Sequence, residues 1–279
     1  MELIHTVVWM KQVAAEARRN DRLLGLVPTM GALHEGHLSL VREAKKQCSP
    51  VVISIFVNPK QFGPSEDFQK YPRTLEADCA VLDNLGVDYV FAPPPEEIYP
   101  PGFRTTVTVE GLSDRLEGRS RPGHFSGVAT VVLKLFEIVQ PRFAFFGRKD
   151  AQQARIIRQM TDDLDLGTEI AVWPIVREPD GLALSSRNKR LTAEERKIAP
   201  MLYKALQLAA GYIRDGCKSA AEVRNLAISY LQARPEFRVE YLEVVDAESM
   251  TPVEQIAGPV RIAVAAWLGS VRLIDNVKA

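Results

Sequence analysis

The run VVISIFV over Val51–Val57 is apolar at every position except Ser54. Successive side chains of a strand face opposite ways, so such a run requires cover on both faces, the condition of a central strand in a parallel sheet. Runs of similar texture recur along the chain with helical patterns between them. Leu23–Val27 leads into a loop over Pro28–Gly36 and a helical pattern from His37 to Lys46. Thr74–Leu85 reads as a helix ended by Gly86, and Asp88–Ala92 as a strand. Thr105–Val109 alternates like a strand or strand edge. Ser126–Val139 is a strongly apolar helix stopped by Pro141, and Phe143–Phe146 a buried strand. A helix over Asp150–Leu164 and a strand over Ile170–Pro174 follow. This repeated alternation predicts an α/β fold: a parallel sheet with helices on both faces, whose ligands bind beyond the carboxyl ends of the strands.

The texture changes after Val176. The capping-box spacing of Thr192 and Glu195 predicts the start of a long helix, and Ala220–Ala233 a second one. Phe237–Asp246, Arg261–Leu268 and Val271–Asp275 are β-rich and joined by turns, which predicts a small antiparallel sheet. The expected organisation is one domain over 1–176 and a smaller α+β domain over 177–279.

Charge and cysteine usage narrow the function. Lys+Arg and Asp+Glu are both 35, so the chain lacks the basic excess of a general nucleic-acid binder. Cys48, Cys79 and Cys217 are odd in number and far apart, giving neither a disulfide framework nor a metal-type pair, and read as reduced structural residues. The segment MELIHTVVWMKQV lacks the pattern of a signal peptide, and no apolar stretch approaches the ~20 residues of a membrane span. The expectation is a cytoplasmic protein with neither membrane nor nucleic acid as partner.

Four motifs carry chemistry. In PTMGALHEGH a strand enters a glycine-bearing loop and a helix begins near His34 and His37. A helix amino terminus offers backbone N–H groups and a positive dipole end to phosphate, and imidazoles three apart share one face. Gly31 and Gly36 permit close backbone approach. The G-x-x-x-x-G spacing resembles a P-loop, but His37 and Leu38 stand where that motif needs Lys-[Ser/Thr]. A zinc site or a packed structural pair are the alternatives, the first disfavoured by the spacing. In FFGRKDAQQ, Lys149 and Asp150 follow a buried strand, the lysine within reach of a phosphoryl oxygen and the aspartate suited to capping the helix or supporting a metal shell. In DGLALSSRN, Ser185, Ser186 and Arg187 form a compact anion-binding set. In FVNPKQF, Asn58 and Gln61 are neutral, directional hydrogen-bonders suited to a hydroxyl or amide. Each of the last three also reads as an ordinary polar turn when taken alone.

PTMGALHEGHLSLV, VNPKQF, YPRT, HFSGVATVVLKLF, FFGRKDAQQ and DGLALSSRN occur in the order and spacing of the pantothenate synthetase family, which this sequence resembles over roughly residues 23–190. The resemblance implies a Rossmann-like fold with an HxGH signature, here HEGH. It also implies ATP-dependent condensation of pantoate with β-alanine through a pantoyl adenylate, with Mg²⁺. By the same resemblance the C-terminal domain covers the active site, and the molecule is a homodimer. His34 and His37 would contact ATP phosphates, with His37 a proton donor. Met30, Gly31, Ala32, Leu33, Glu35 and Gly36 would line the ATP site, Met30 facing pantoate as well. Gly147, Arg148, Lys149 and Asp150 would contact the nucleotide, as would Val176 through its backbone and Leu184, Ser185, Ser186 and Arg187. Gln61 would hold pantoate and then β-alanine, with Gln153 also at pantoate and Asn58 beside them. Asp78 would support Mg²⁺. Arg148 departs from the acidic or amide residue expected there. Pro64–Tyr71 has the composition of a mobile flap.

Two other readings remain at this stage. Another HxGH-type nucleotidyltransferase would want a basic acceptor pocket, whereas Gln61 and Gln153 are neutral. A nucleotide-binding sensor would need affinity but no phosphorus-directed groups, and the two histidines, Lys149 and the Ser-Ser-Arg triplet argue against it.

Overall fold

The computed structural model describes residues 1–63, 68–69 and 71–279. Most of the expected flap, positions 64–67 and 70, lies outside the described residues. The chain divides into two compact units, 1–148 with 156–174 and 149–155 with 175–279.

The first unit opens with β1 (Glu2–Ile4), α1 (Val7–Arg19), β2 (Gly25–Thr29), α2 (Glu35–Gln47) and β3 (Val51–Ile55). A 3₁₀ turn at Pro59–Gln61 precedes α3 (Leu75–Asn84), β4 (Tyr89–Phe91), and the short α4 (Pro95–Ile98) and α5 (Glu117–Ser120). Then come α6 (His124–Val139), β5 (Phe143–Gly147), a 3₁₀ turn at Arg148–Asp150, α7 (Ala151–Asp163) and β6 (Glu169–Trp173). Six parallel strands form one sheet in the order β1-β4-β3-β2-β5-β6. The strand order reverses between β2 and β5, the switch point where such sheets bind ligands. Val51, Val52 and Ile53 are fully buried, as the doubly apolar run requires. One core face joins Val27, Ile53, Val90 and Phe145 of the sheet to Leu40, Val41 and Ala44 of α2 and Leu82 of α3.

The second unit holds a 3₁₀ turn at Ser186–Arg190, α8 (Ala193–Ile198), α9 (Met201–Arg214), α10 (Ala220–Gln232), β7 (Phe237–Asp246), β8 (Val260–Leu268) and β9 (Val271–Lys278). The three strands form an antiparallel sheet in chain order. Val264, Ala266 and Leu273 pack there with Leu202, Leu206 and Val223 of the helices.

Two expectations need correction. Thr105–Val109 belongs to no strand. It is tied to α6, with the Val107 N–H donating to Thr130 Oγ1 (2.9 Å) and the Thr108 and Ser126 hydroxyls 2.9 Å apart. The long helix from Thr192 is two helices: the capping box forms, but Pro200 lacks the N–H to continue and α9 restarts after it.

Candidate active site

The loop after β2 is bent by local hydrogen bonds. The Thr29 hydroxyl donates to the Ser54 carbonyl (2.8 Å) and accepts the Gly31 N–H (3.2 Å). Gly31 and Ala32 both take positive φ, 80° and 51°. Asp78 of α3 fixes this turn, its two oxygens accepting the N–H groups of Ala32 and Leu33 (2.9 Å each) and the Thr74 hydroxyl (3.0 Å). A Cβ at residue 31 would lie 3.1 Å from both Asp78 Oδ2 and Ile55 Cγ2, so glycine answers the backbone angle and the crowding together. Asp78 is therefore a buttress of the loop, a role its expected place beside Mg²⁺ did not foresee.

His34 caps α2 and His37 sits in its first turn. His34 Nδ1 accepts the Gly36 N–H (3.1 Å), His37 Nδ1 accepts the His34 N–H in a longer contact (3.4 Å), and the rings lie 4.1 Å apart. An Nδ1 that accepts leaves the proton of a neutral ring on Nε2, so each imidazole is a directed Nε2–H donor. Glu35 turns its carboxylate to Arg42 on the outer face of α2, leaving its backbone as its share of the loop. Met30 and Gly36 are half-buried in the same segment.

Gln61 occupies a built seat. Asn58, only 1% exposed, donates from Nδ2 to Gln61 Oε1 (3.1 Å) and the Gly127 carbonyl (3.0 Å). Its Oδ1 accepts the Tyr99 hydroxyl (2.8 Å) and the Lys60 N–H (3.2 Å). Both amide hydrogens and both lone pairs are thus committed, so Asn58 seats Gln61 where direct substrate contact had been expected. Burial pushes the Tyr99 phenol pKa well above its ordinary value, keeping the hydroxyl a donor. The Gln61 carbonyl accepts from His124 Nδ1 (2.8 Å), and Arg121 Nη1 faces His124 Nε2 (3.1 Å), a pattern that suits the neutral ring. A Cβ on Gly127 would stand 2.2 Å from the Lys60 carbonyl oxygen, so α6 meets this turn backbone to backbone. The Gln61 amide then donates to Met30 Sδ (2.9 Å), a weak acceptor that a ligand oxygen would readily replace.

The second unit carries the other expected groups. The Lys149 carbonyl accepts from Asn276 Nδ2 (3.0 Å). Arg148 and Asp150 are exposed, and Gln153 is half-buried in the first turn of α7. Gly147, the last residue of β5, belongs to the first unit. The Val176 carbonyl accepts the Leu184 N–H (3.0 Å), and Arg177 pairs with Ala183, closing a hairpin that ends at Ser185. Ser185 Oγ caps the following turn by accepting the Arg187 N–H (3.3 Å), and Asn188 Nδ2 donates to the Ala183 carbonyl (3.0 Å). Ser186 and Arg187 are half-buried in that turn.

Two of the thiols are held in the protonated form by their surroundings. Burial pushes the Cys48 pKa up to about 11, and burial followed by the Asp78 charge raises that of Cys79. Among the described residues, no group of three or more His, Cys, Asp or Glu is arranged to hold a metal ion. With the Asp78 oxygens taken by the loop, these residues do not form a protein cage for Mg²⁺. Among them, too, no helix is long and apolar enough to cross a membrane.

Sequence reasoning missed Tyr99, Arg121, His124 and Gly127. All four act on Gln61 or Asn58 from 41 to 69 residues away, and the sequence around them carried no local sign of that contact.

Fold and site together define a class: an α/β phosphate-handling enzyme with an HxGH helix start at the switch point of a parallel sheet. A family model described as pantoate–β-alanine ligase matches residues 2–278. Pantothenate synthetase of Moorella thermoacetica is 54% identical over 277 residues, covering 99% of this chain and 98% of that protein. Its counterpart in Thermotoga neapolitana is 52% identical over 276 residues, covering 99% of each. The crystal structure of pantothenate synthetase from Thermus thermophilus superposes with a TM-score of 0.94 at 47% identity, covering 99% of both chains. The Francisella tularensis pantoate–β-alanine ligase, solved with β,γ-ATP and β-alanine, has a TM-score of 0.81 at 36% identity, covering 99% of this chain and 97% of that one. The chain belongs to the pantoate–β-alanine ligase family, the pantothenate synthetases, and its Rossmann-like fold is that of the solved members.

Proposed function

We propose that this ligase uses ATP to activate pantoate as pantoyl adenylate and then passes the acyl group to β-alanine. The observation that carries the reading is the Gln61 seat: an amide held by Asn58, beside the HEGH loop, whose N–H groups, among the described residues, meet only the Met30 thioether. Such a group suits the hydroxyl or carboxylate of a small hydroxy acid.

A carboxylate does not acylate an amine at neutral pH, because oxide is too poor a leaving group. In the proposed sequence a pantoate oxygen attacks the α-phosphorus of ATP in line, the bond to the bridging oxygen breaks, and pyrophosphate leaves. The β-alanine amine then attacks the acyl carbon, loses a proton, and AMP leaves with the former carboxylate oxygen. The protein's task is to position two anions and stabilise charge growing on phosphate oxygens. His34 and His37 act as Nε2–H donors, His37 toward the α-phosphate, with Gly31–Gly36 backbone along the nucleotide. Lys149 neutralises charge at the α-phosphate, and Ser185, Ser186 and Arg187 receive the pyrophosphate. Gly147, Arg148, Asp150, Val176 and Leu184 contact the nucleotide, while Gln61, Gln153 and Met30 hold pantoate. Mg²⁺ enters as the ATP complex, its charge supplied with the phosphates. The enzyme acts in the cytoplasm as a homodimer, a reading that the unpaired cysteines favour for the compartment and that light scattering of the native protein tests for the assembly.

The test is AMP release from Mg·ATP with pantoate and β-alanine, each omitted in turn. AMP that requires both, with pyrophosphate–ATP exchange on pantoate alone, is the expected result. Exchange that needs β-alanine would remove the free adenylate, and ATP binding without AMP would leave only a nucleotide-binding protein.

A further inference from the structure

Strand β9 carries two adjacent buried polar residues, Asp275 and Asn276, each 3% exposed, and neither has a part in the chemistry above. Neighbours on a strand face opposite ways. Val271 and Leu273 lie in the helix-covered core, so Asp275 faces that side and Asn276 the other. On the helix side Asp275 receives the fork of Arg177, Nη1 to Oδ2 at 2.6 Å and Nη2 to Oδ1 at 2.9 Å. Arg177 also lies 3.7 Å from the Tyr203 ring centre and donates to the Gly181 carbonyl (3.1 Å), within the hairpin that leads to Ser185. On the other side Asn276 Oδ1 accepts from the buried Arg261 (2.6 Å), and Nδ2 donates to the Lys149 carbonyl (3.0 Å). The Asn276 N–H donates to Asp275 Oδ1 (2.7 Å), joining the two contacts. Burial pushes the Asp275 pKa up, while Arg177 and, at longer range, Lys149 pull against it.

We propose that the Asp275–Asn276 step of β9 is a positioning device for the phosphate-handling groups of its unit. Asn276 fixes the backbone from which the Lys149 side chain starts. Asp275, through Arg177, fixes the hairpin that delivers Ser185, Ser186 and Arg187. A lysine on a flexible four-carbon stem places its charge reproducibly only if its Cα is held, and a buried amide clamped by Arg261 supplies that restraint. The inference rests on the proposed role of Lys149 in adenylation.

The experiment is single-turnover adenylate formation by Asn276→Asp and Asn276→Ala, each in the native and the Lys149→Ala background, with melting curves alongside. Asn276→Asp keeps the acceptor for Arg261 but loses the donor to Lys149, so it reads the contact even if the alanine variant folds poorly. In the native background adenylation falls about tenfold, within the range that displacing a reacting group produces, with pantoate KM unchanged. In the Lys149→Ala background the same substitution costs nothing further, since it acts through the absent side chain. Equal losses in both backgrounds, or no loss in the native one, would overturn the proposal. A wild-type rate for Lys149→Ala alone would instead sink the reading of Lys149, and is seen in the same data.

Discussion

Replacing Asp78 by Asn separates two roles for this carboxylate. The structure gives it three hydrogen bonds, from the N–H groups of Ala32 and Leu33 and the hydroxyl of Thr74. Asparagine keeps one oxygen and turns the other into an NH₂ group that confronts a donor. One charge-assisted bond is lost, worth about 1.5–3 kcal/mol, and a partly buried N–H is left without its acceptor at about 1–3 kcal/mol. Allowing for relaxation, the loss comes to about 3 kcal/mol, or a melting shift of about 6–12 °C at roughly 2–4 °C per kcal/mol. Because the loop depends on the carboxylate and not on an ion, the loss appears in full with chelator present. Amide hydrogen exchange at Ala32 and Leu33 reads it locally and accelerates by about the same free energy. Adenylation slows about 100-fold as the HEGH loop loses its bend. If Asp78 served chiefly as a metal ligand, chelated native protein and variant would melt alike and their exchange at Ala32 would match. That result would refute the buttress.

Gly127→Ala forces a methyl against the Lys60 carbonyl, 2.2 Å away, and costs about 2–3 kcal/mol of stability by overpacking. Calorimetric titration shows weaker pantoate binding with ATP affinity unchanged, and an unaltered pantoate affinity would remove α6 from the Gln61 seat. Gln61→Ala weakens pantoate in the same assay and again leaves ATP alone, failing which Gln61 is no substrate ligand. Lys149→Ala lowers single-turnover adenylation about 10²- to 10³-fold, the usual loss for one charge-stabilising donor, and a near-native rate would exclude it. Burial pushes the Cys48 thiol pKa from its ordinary value of 9.0 up to about 11 in the fold. Its buried thiol therefore contributes stability that is whole below pH 9.0 and lost as pH rises toward about 11, on the order of 2–3 kcal/mol. Urea titrations across that window show a steeper fall in the native protein than in Cys48→Ser, since serine does not ionise there while Cys79 and Tyr99 still do; equal slopes would reject it.

What the sequence reveals here is set by how local each signal is. Val51–Ile55 and Phe143–Gly147 are apolar on both faces over a whole strand, so pattern alone places them at the centre of a parallel sheet. The three residues of β1 are too few to show a period of two, and α1 passed unnoticed although Thr6 caps it by accepting the Trp9 N–H (3.3 Å). Thr105–Val109 shows the opposite failure. Its alternation is real, but hydroxyls of α6 satisfy it where a strand would, and nothing in five residues distinguishes those partners.

The same distinction divides the site. Residues proposed to present chemistry sit in contiguous motifs, so HEGH, RKD and SSR can be found by reading along the chain. Residues that hold those motifs in place come from wherever the fold brings them: Asp78 is 46 residues from Ala32, His124 is 63 from Gln61, and Asn276 is 127 from Lys149. In VRLIDNVK the pair Asp275–Asn276 looks like the polar end of a surface strand, which is why the pattern seemed to stop at Asp275 although β9 runs on to Lys278. Only packing on both faces makes these residues costly to bury, and a polar pair is buried at that cost only where each member has a partner. Arg177 on one face and the Lys149 backbone on the other are those partners. The burial of two polar neighbours at the edge of a small sheet is thus itself the sign that the sheet restrains the segments above and below it, a sign that exists in three dimensions alone.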